Sequence, residues 1–343
     1  MNIKRILIVG SNQVWSLERV YQKHLRALGL ETELFAAQDL FYRYYNKSLF
    51  NKLLFRSGLS TIYSTINEAL NEMVRVFKPE LIWVFKGMEL MPSTLNQLKK
   101  QGIVLVNYNP DNPFYFSSRG SGNVNVTNSI GLYDIHFTYD RGVQKTIQNE
   151  IKLPCFILPF GFELSSTLYE QCTRQVEVHK LCFIGNPDKY RVHFLEKIAD
   201  SMPLDVYGNH WDHHTHHKGI TVHPPVYGDD FWKALYRYRV QLNIMRPHNP
   251  ASHNMRSFEI PGVGGIGLYP DTIDHREYLG NEQVVALFTD TESCIKQATA
   301  IMNMTPQAAL ELRNRARKIS LSRGYDYLSR TIKFLTDIRE NRL

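Results

Sequence analysis

Short, wholly apolar runs alternate with stretches of helical spacing along this chain, and few folds accommodate that alternation. Ile6-Leu7-Ile8-Val9 contains no polar residue, as a strand buried on both faces of a parallel sheet requires. Gly10-Ser11-Asn12 reads as a turn, and Val14, Leu17, Tyr21, Leu25 and Leu28 then recur at helical spacing until Gly29. Leu34-Phe35-Ala36-Ala37, Leu81–Phe85, Ile103–Val106, Ile135–Tyr139 and Phe156–Leu158 read as further strands, with helical segments at Ile62–Phe77 and Thr94–Lys100. Repeated strand–helix units predict a doubly wound parallel sheet.

The pattern restarts after a polar stretch around Glu170–Val178. Leu181–Gly185 opens a second series, with helix Val192–Ala199, strands Leu204–Gly208 and Val240–Ile244, a short helix Ser257–Val263, and strands Ile266–Tyr269 and Val284–Phe288. Helices near Thr291–Met302, Pro306–Ser320 and Tyr327–Ile338 complete it. With 343 residues there is length for two domains. The expected fold class is α/β: two Rossmann-like αβα domains, residues 1–170 and 171–322, facing across a cleft. A C-terminal helix in 323–343 is placed to cross back to the first domain. Ligands of such sheets bind beyond the carboxyl ends of the strands, where loops and helix amino termini converge.

Composition narrows the classes. Apolar residues make up 43% and charged residues 21%, which excludes disordered and fibrous chains. No uncharged stretch approaches the roughly 18 residues of a membrane span, and the apolar run before Gly10 is too short for a signal peptide. The net charge of +7 suits a phosphate-bearing partner or an anionic surface. Its cations are spread along the chain without a basic block, which argues against nucleic acid. Cys155, Cys172, Cys182 and Cys294 lack paired-cysteine spacing and read as reduced thiols of a cytoplasmic protein.

Three segments carry a resemblance: Lys78-Pro79-Glu80-Leu81-Ile82-Trp83-Val84, Asn107-Tyr108-Asn109-Pro110-Asp111-Asn112-Pro113, and Met255-Arg256-Ser257-Phe258-Glu259-Ile260-Pro261-Gly262-Val263-Gly264-Gly265. Together with Tyr327-Leu328-Ser329-Arg330 they resemble the CgeB-like (spore maturation protein) glycosyltransferases, related to glycosyltransferase family 4. The resemblance implies a GT-B fold, a nucleotide-sugar donor held by the second domain, an acceptor held by the first, and transfer with retention. In the wider group two glutamates with seven residues between them mark the donor site. Glu259 matches the second, and Ala251 stands where the first would be.

The residues around Arg256 support a donor site on physical grounds as well. A helix amino terminus offers free N–H groups and a positive dipole end to a diphosphate. Arg256 adds a planar cation that can hold two phosphate oxygens, and Glu259 shares its helix face and can accept from two ribose hydroxyls. A plain Arg–Glu surface pair is the alternative. Asn254 and Ser257 flank Arg256 and join the candidate donor set. Gly185, Lys189 and Arg191 follow the second domain's first strand; Arg191 stands at the family-like position for a second phosphate cation, with Lys189 in reserve. Asp111, after the fourth strand, is a candidate to orient an acceptor hydroxyl or act as base, or is an ordinary turn residue. Lys86 ends the third strand and is a further candidate cation. Gly10 and Ser11 form a weak phosphate or acceptor loop.

Other features carry less. Gly262–Gly267 has the letters of a dinucleotide glycine motif, but it follows a helix and precedes a strand, the reverse of the required context. His210 and the His213–His217 run read as a solvated loop without a metal. Tyr42–Arg56 has four cations, no acid and many aromatic or Leu residues. It suits an interfacial helix on anionic lipid or a helix packed over the cleft.

The reading is a cytoplasmic, metal-independent glycosyltransferase, peripheral on the inner membrane face if residues 42–56 dock there. It moves a sugar from a UDP-type donor to a glycan, lipid-linked or protein acceptor, with no cofactor. Two rivals stand beside it: a non-catalytic nucleotide-sugar-binding or scaffold protein with a decayed site, motivated by Ala251, and a glucosyltransferase acting on modified DNA.

Overall fold

The structure is a computed structural model that describes residues 3–116, 120–245, 252–280 and 285–341. The chain divides into two compact units, Met1–Pro159 with Tyr327–Leu343, and Phe160–Asp326.

The first unit is built on β1 (Arg5–Val9), β2 (Glu31–Phe35), β3 (Leu81–Phe85), β4 (Val104–Asn109), β5 (Ile135–Thr138) and β6 (Cys155–Ile157). They pair in the order β2-β1-β3-β4-β5-β6, every pair parallel. Alternation along the strands makes two cores. Ile6, Ile8, Trp83 and Val106 pack on Tyr21 and Leu25 of helix Leu17–Ala27 and on Phe334 and Ile338 of helix Tyr327–Glu340. Leu7, Val9, Ile82, Val84 and Leu105 face Ile66, Leu70 and Val74 of helix Ile62–Phe77 on the other side. The last helix of the chain is therefore a core element of the first unit, with the Phe334 ring stacked on Trp83 at 3.6 Å between centroids.

The second unit holds β7 (Val178–Ile184), β8 (Leu204–Tyr207), β9 (Ile220–His223), β10 (Tyr238–Leu242), β11 (Gly267–Pro270) and β12 (Val285–Phe288). Their order is β12-β11-β10-β7-β8-β9, again parallel throughout. Leu181, Phe183, Val206, Val240 and Leu268 pack on Leu195 and Ile198 of helix Lys189–Ala199 and on Ala298 and Ile301 of helix Thr291–Met302. Buried Arg313, on helix Pro306–Ser322, gives the carbonyls of Tyr236 and Tyr238 hydrogen bonds of 2.6 and 2.8 Å, which ties that helix to the start of β10.

Several expected boundaries shift, for physical reasons. The second strand runs Glu31–Phe35, not Leu34–Ala37, because an edge strand is half exposed and its polar Glu31 and Glu33 dilute the apolar run. Strand β9 escapes an apolar-run reading for the same reason: it is the opposite edge of the second sheet. Strand β10 starts at Tyr238; Arg239 and Gln241 interrupt its apolar pattern, yet both are buried, with Gln241 donating to the Ala234 carbonyl at 2.9 Å. The division between the units falls at Pro159 rather than near residue 170, since helix Ser166–Thr173 packs on helix Gly228–Arg237 of the second unit. Tyr42–Arg56 is two helices, Ala37–Lys47 and Leu49–Arg56, separated by Ser48, whose side chain caps the second by accepting from the Asn51 N–H. The Arg246–Pro250 loop, Ala251 and Val284 lie outside the described residues.

Phe334→Ala removes the ring that couples the last helix to Trp83. It should lower the unfolding free energy by about 3–5 kcal/mol, the usual cost of emptying a phenylalanine site. Urea unfolding checks this; a loss within a few tenths of a kcal/mol would mean the helix is not part of the first unit's cooperative core.

Candidate active site

In a sheet whose strands all run one way, every strand delivers the residue after its last hydrogen bond to the same edge. The site residues of each unit collect there.

In the second unit the edge is organised by two arginines on two different helices. Arg256, the first residue of helix Arg256–Gly262, directs Nε to the Ile184 carbonyl at 3.4 Å, at the end of β7. Its Nη1 bonds Glu259 Oε2, and its guanidinium lies 4.2 Å from the centroid of the Phe231 ring. Arg191, on helix Lys189–Ala199, donates to the Asn186 carbonyl and, across the sheet, to the Ile244 carbonyl, both at 3.0 Å. It lies over Phe183 at 5.4 Å and pairs with Asp188 at 3.5 Å. Both predicted phosphate cations are thus anchored on the segment that leaves β7. Arg256 keeps 29% of its side chain exposed, while Glu259 keeps 9%. The guanidinium remains open to solvent on one side and holds a nearly buried carboxylate on the other. Lys189, the first residue of its helix, is exposed. The Gly185 carbonyl accepts from Trp211 Nε1 at 2.8 Å.

Asn254 and Ser257 support the helix that carries Arg256. The two amides of Asn243 and Asn254 bond reciprocally at 3.1 and 2.8 Å. Ser257 Oγ accepts from the Asn254 N–H at 3.1 Å and from Asn243 Nδ2 at 3.2 Å. It lies 2.8 Å from His275 Nε2, while His275 Nδ1 lies 2.8 Å from the Pro270 carbonyl. A carbonyl can only accept, so Nδ1 carries the proton and Nε2 accepts from the serine hydroxyl. With its lone pairs and proton so engaged, and 1% exposed, Ser257 acts on a ligand through the position of its neighbours. Asn243, Phe231 and His275 carried no signal in the sequence, since their partners are distant along the chain and only the sheet order joins them.

The first unit's edge is acidic. The Glu18 carboxylate accepts from the Ser11 N–H at 2.7 Å and fills the space beside Gly10, where a Cβ would run into it. The candidate loop Gly10-Ser11 is therefore occupied by a carboxylate of the chain itself, an arrangement that disfavours a phosphate. Burial pushes the Glu18 carboxyl above its ordinary pKa, against the pull of the Ser11 N–H. Asp111 and Lys86 pair at 2.7 Å, and Lys86 Nζ also donates to the Gly120 carbonyl at 2.7 Å. Lys86 adopts a left-handed backbone (φ 61°), followed by Gly87 (φ 93°), which turns the chain sharply after β3. The turn delivers Glu89, a buried carboxyl the sequence reading did not single out.

The histidine-rich loop disperses its side chains: His217 meets Asp200 at 3.0 Å, and the His210 and His213 rings lie 6.4 Å apart. Among the described residues no three His, Cys, Asp or Glu side chains converge as metal ligands. All four cysteines are buried free thiols. No helix of the described residues is long and apolar enough to cross a membrane.

Residues 191–336, which include Arg191, Asn254, Arg256, Ser257 and Glu259, match the model of a glycosyl transferase-like family. Solved structures match over nearly the whole chain. Sucrose-phosphate synthase from Thermosynechococcus elongatus superposes with a TM-score of 0.69 at 10% identity, covering 98% of both chains. A UDP-forming α,α-trehalose-phosphate synthase from Burkholderia xenovorans gives 0.66 at 13% identity, covering 98% of this chain and 99% of that one. The N-terminal domain of Candida albicans trehalose-6-phosphate phosphatase gives 0.66 at 14% identity, with coverage of 99% and 97%. The chain has the GT-B fold and carries a glycosyl transferase-like domain. At these identities the structural likeness speaks for the fold. No curated protein matches the sequence.

The Ser257–His275 bond links the site to pH. Burial holds His275 well below its ordinary value of 6.5, at about 4, and does the same to His136 in the first unit. Each histidine is neutral in the folded protein, so the unfolded chain binds the extra proton. Their contribution is complete above about pH 6.5 and is lost as pH falls toward 4. Between pH 7 and 4.5 each should cost about 2–3 kcal/mol of stability, and His275→Gln should flatten that dependence by one such share. Urea midpoints at the two pH values measure it; an unchanged slope in His275→Gln would show that the ring is protonated in the fold.

Proposed function

We propose that the chain transfers a glycosyl group from a nucleotide-diphosphate donor, UDP-linked, to a glycan, lipid-linked or protein acceptor. The observation that carries this reading is the Arg256–Glu259 pair on a helix at the carboxyl edge of the second sheet, inside the glycosyl transferase-like match. The finer resemblance of the Met255–Gly265 and Asn107–Pro113 segments to CgeB-like enzymes points the same way.

In this scheme the second unit holds the donor. Arg256 and Arg191 face the diphosphate, whose charge grows as the bond from the anomeric carbon to the phosphate oxygen breaks. Two guanidiniums already fixed by backbone carbonyls stabilise that charge with little reorganisation. Side-chain cations do here what a divalent ion does elsewhere, so the reaction is assigned no metal and no cofactor. Glu259 is held by Arg256 with its remaining acceptor sites available to the ribose hydroxyls. The first unit presents the acceptor hydroxyl, whose oxygen bonds the anomeric carbon. With retention, its proton leaves on the departing phosphate oxygen. Asp111, neutralised by Lys86, is better suited to orienting the acceptor than to taking that proton.

Helix Leu49–Arg56 supports a membrane-facing role at the cytoplasmic face. It exposes Leu49, Phe50 and Leu53, while Phe55 turns inward onto Phe41 and Tyr63. Arg43, Lys47 and Arg56 of the same two helices are exposed and Lys52 is half-buried, and cations beside exposed apolar residues are the combination that binds anionic lipid.

Three experiments test this reading. Glu259→Gln should weaken binding of the UDP-sugar about tenfold to a hundredfold, the worth of a hydrogen bond to a charged group, and leave a donor lacking both ribose hydroxyls unaffected. Because Glu259 also pairs with Arg256, some stability loss is expected, and the ribose control decides. Equal losses by calorimetry for both donors would remove Glu259 from the ribose, and loss of turnover in excess EDTA would overturn the metal-free scheme. Separately, changing Arg43, Lys47, Lys52 and Arg56 together to Gln should weaken sedimentation with anionic vesicles by about 1 kcal/mol per cation. A wild-type protein that ignores such vesicles has no interfacial helix.

A further inference from the structure

A cavity within the first unit has no part in the scheme above. It measures about 710 Å³ and opens among helix Ala37–Lys47, helix Leu49–Arg56, the start of helix Ile62–Phe77 and the loop after β3. Its walls are aromatic. Phe41 meets Phe55 at 4.9 Å, Tyr45 at 5.6 Å and Tyr63 at 5.9 Å, and Phe55 meets Tyr63 edge-on at 5.6 Å. Two polar groups enter the apolar box. One is the Asn123 amide, which donates to Tyr63 Oη at 3.1 Å and to the Met88 carbonyl at 2.9 Å. The other is Glu89, whose residue is 6% exposed and lines the cavity. Among the described residues no other side chain hydrogen-bonds the Glu89 carboxyl, which is met by its own backbone N–H, while the Asn67 amide holds the Glu89 backbone carbonyl at 2.9 Å. The loop is thus fixed and the carboxyl is left facing the cavity.

We propose that this cavity binds a pyranoside, its ring against Phe41 and Tyr45 and one of its hydroxyls donating to Glu89. Alternative occupants fit less well. A wholly apolar ligand would leave a buried carboxyl with its own backbone N–H alone, short of the partners a carboxylate takes, which is costly. An anion would meet Glu89 and, beyond it, Glu18, whose charge already opposes that of Glu89. A sugar ring satisfies both walls: its C–H faces lie on aromatic rings, and its hydroxyls supply Glu89 with donors beyond its own backbone N–H. The proposal rests on the glycosyl-transfer reading only for its place in the reaction, where the pyranoside would be the acceptor. Binding itself does not need that reading.

Burial holds the Glu89 carboxyl up at about 7, with Lys86 favouring the charged form and Glu18 opposing it. Of the other ionisable side chains around the cavity, Arg56 is exposed and Tyr63 is pushed up to about 12, so it stays protonated. A hydroxyl donates better to the ionised carboxylate, so affinity should rise through pH 7.

The test uses the full chain and saturation-transfer NMR with methyl glycosides of glucose, galactose, mannose and N-acetylglucosamine. At least one should bind, more tightly at pH 8 than at pH 6. Glu89→Gln should lose about tenfold in affinity and lose the pH dependence, and Phe41→Ala should lose binding with the melting temperature checked alongside. UDP affinity, read by calorimetry on the same variants, should not move. If no glycoside binds the wild type, or if binding is indifferent to both substitutions, the proposal is wrong. If a glycoside binds as described but UDP does not bind at all, the cavity stands and the glycosyl-transfer reading falls.

Discussion

Parallel strand pairing is the constraint on which each unit depends. A parallel pair cannot close with a tight turn, so every strand is followed by a crossover, and every crossover leaves from the same edge. That edge gathers residues that the sequence scatters. In the first unit it holds Ser11, Lys86, Glu89 and Asp111, which follow β1, β3 and β4. In the second it holds Asn186, Arg191, Asn254 and Arg256, which follow β7 and β10. Carbonyls at strand ends lack ladder partners, and the two arginines of the second unit are bound to such carbonyls, Ile184 and Ile244. The sheet thus creates the vacancy that fixes the cations.

The legible part of this architecture is the part where one face or two faces are buried without compromise. The central strands β1, β3 and β4 are apolar runs in the sequence, and helix Ile62–Phe77 keeps its spacing from end to end. The edges were harder. Strands β2 and β9 alternate, because one side meets solvent, and an alternating run of four or five residues resembles a loop. Strand β10 hides for the opposite reason: it is fully buried, but Arg239 and Gln241 are made acceptable there by partners such as Glu177 and the Ala234 carbonyl. Sequence cannot reveal such partners, which lie 62 and 7 residues away.

The candidate site divides in the same way. Arg256 and Glu259 are one helical turn apart, so their pairing was visible as spacing, although spacing alone could not distinguish a surface pair from a buried one. The structure makes Glu259 nearly buried and leaves Arg256 partly open. Arg191 could be placed after β7 but not on the Ile244 carbonyl, a contact across 53 residues. Lys86 and Asp111 were each visible as residues closing a strand. Their mutual neutralisation depends on β3 and β4 being neighbours, with Phe85 opposite Tyr108.

Three carboxylates of the first unit show how position along one edge decides chemical character. Asp111 stands opposite a lysine, at 2.7 Å. Glu18 is buried at the start of a helix, where the Ser11 N–H compensates part of the desolvation. Glu89 is buried as deeply, and Lys86 acts on it only through space. Lys86 Nζ is already committed to Asp111 and Gly120, so it cannot serve both acids closely. The left-handed turn at Lys86-Gly87 enforces this division: it sends the lysine toward Asp111 and carries the chain on to place Glu89 at the aromatic cavity. Burial raises the proton affinity of a carboxyl so placed to near neutrality, and its own backbone N–H and the distant Lys86 offset only part of that rise. A ligand hydroxyl is the partner that the arrangement leaves room for.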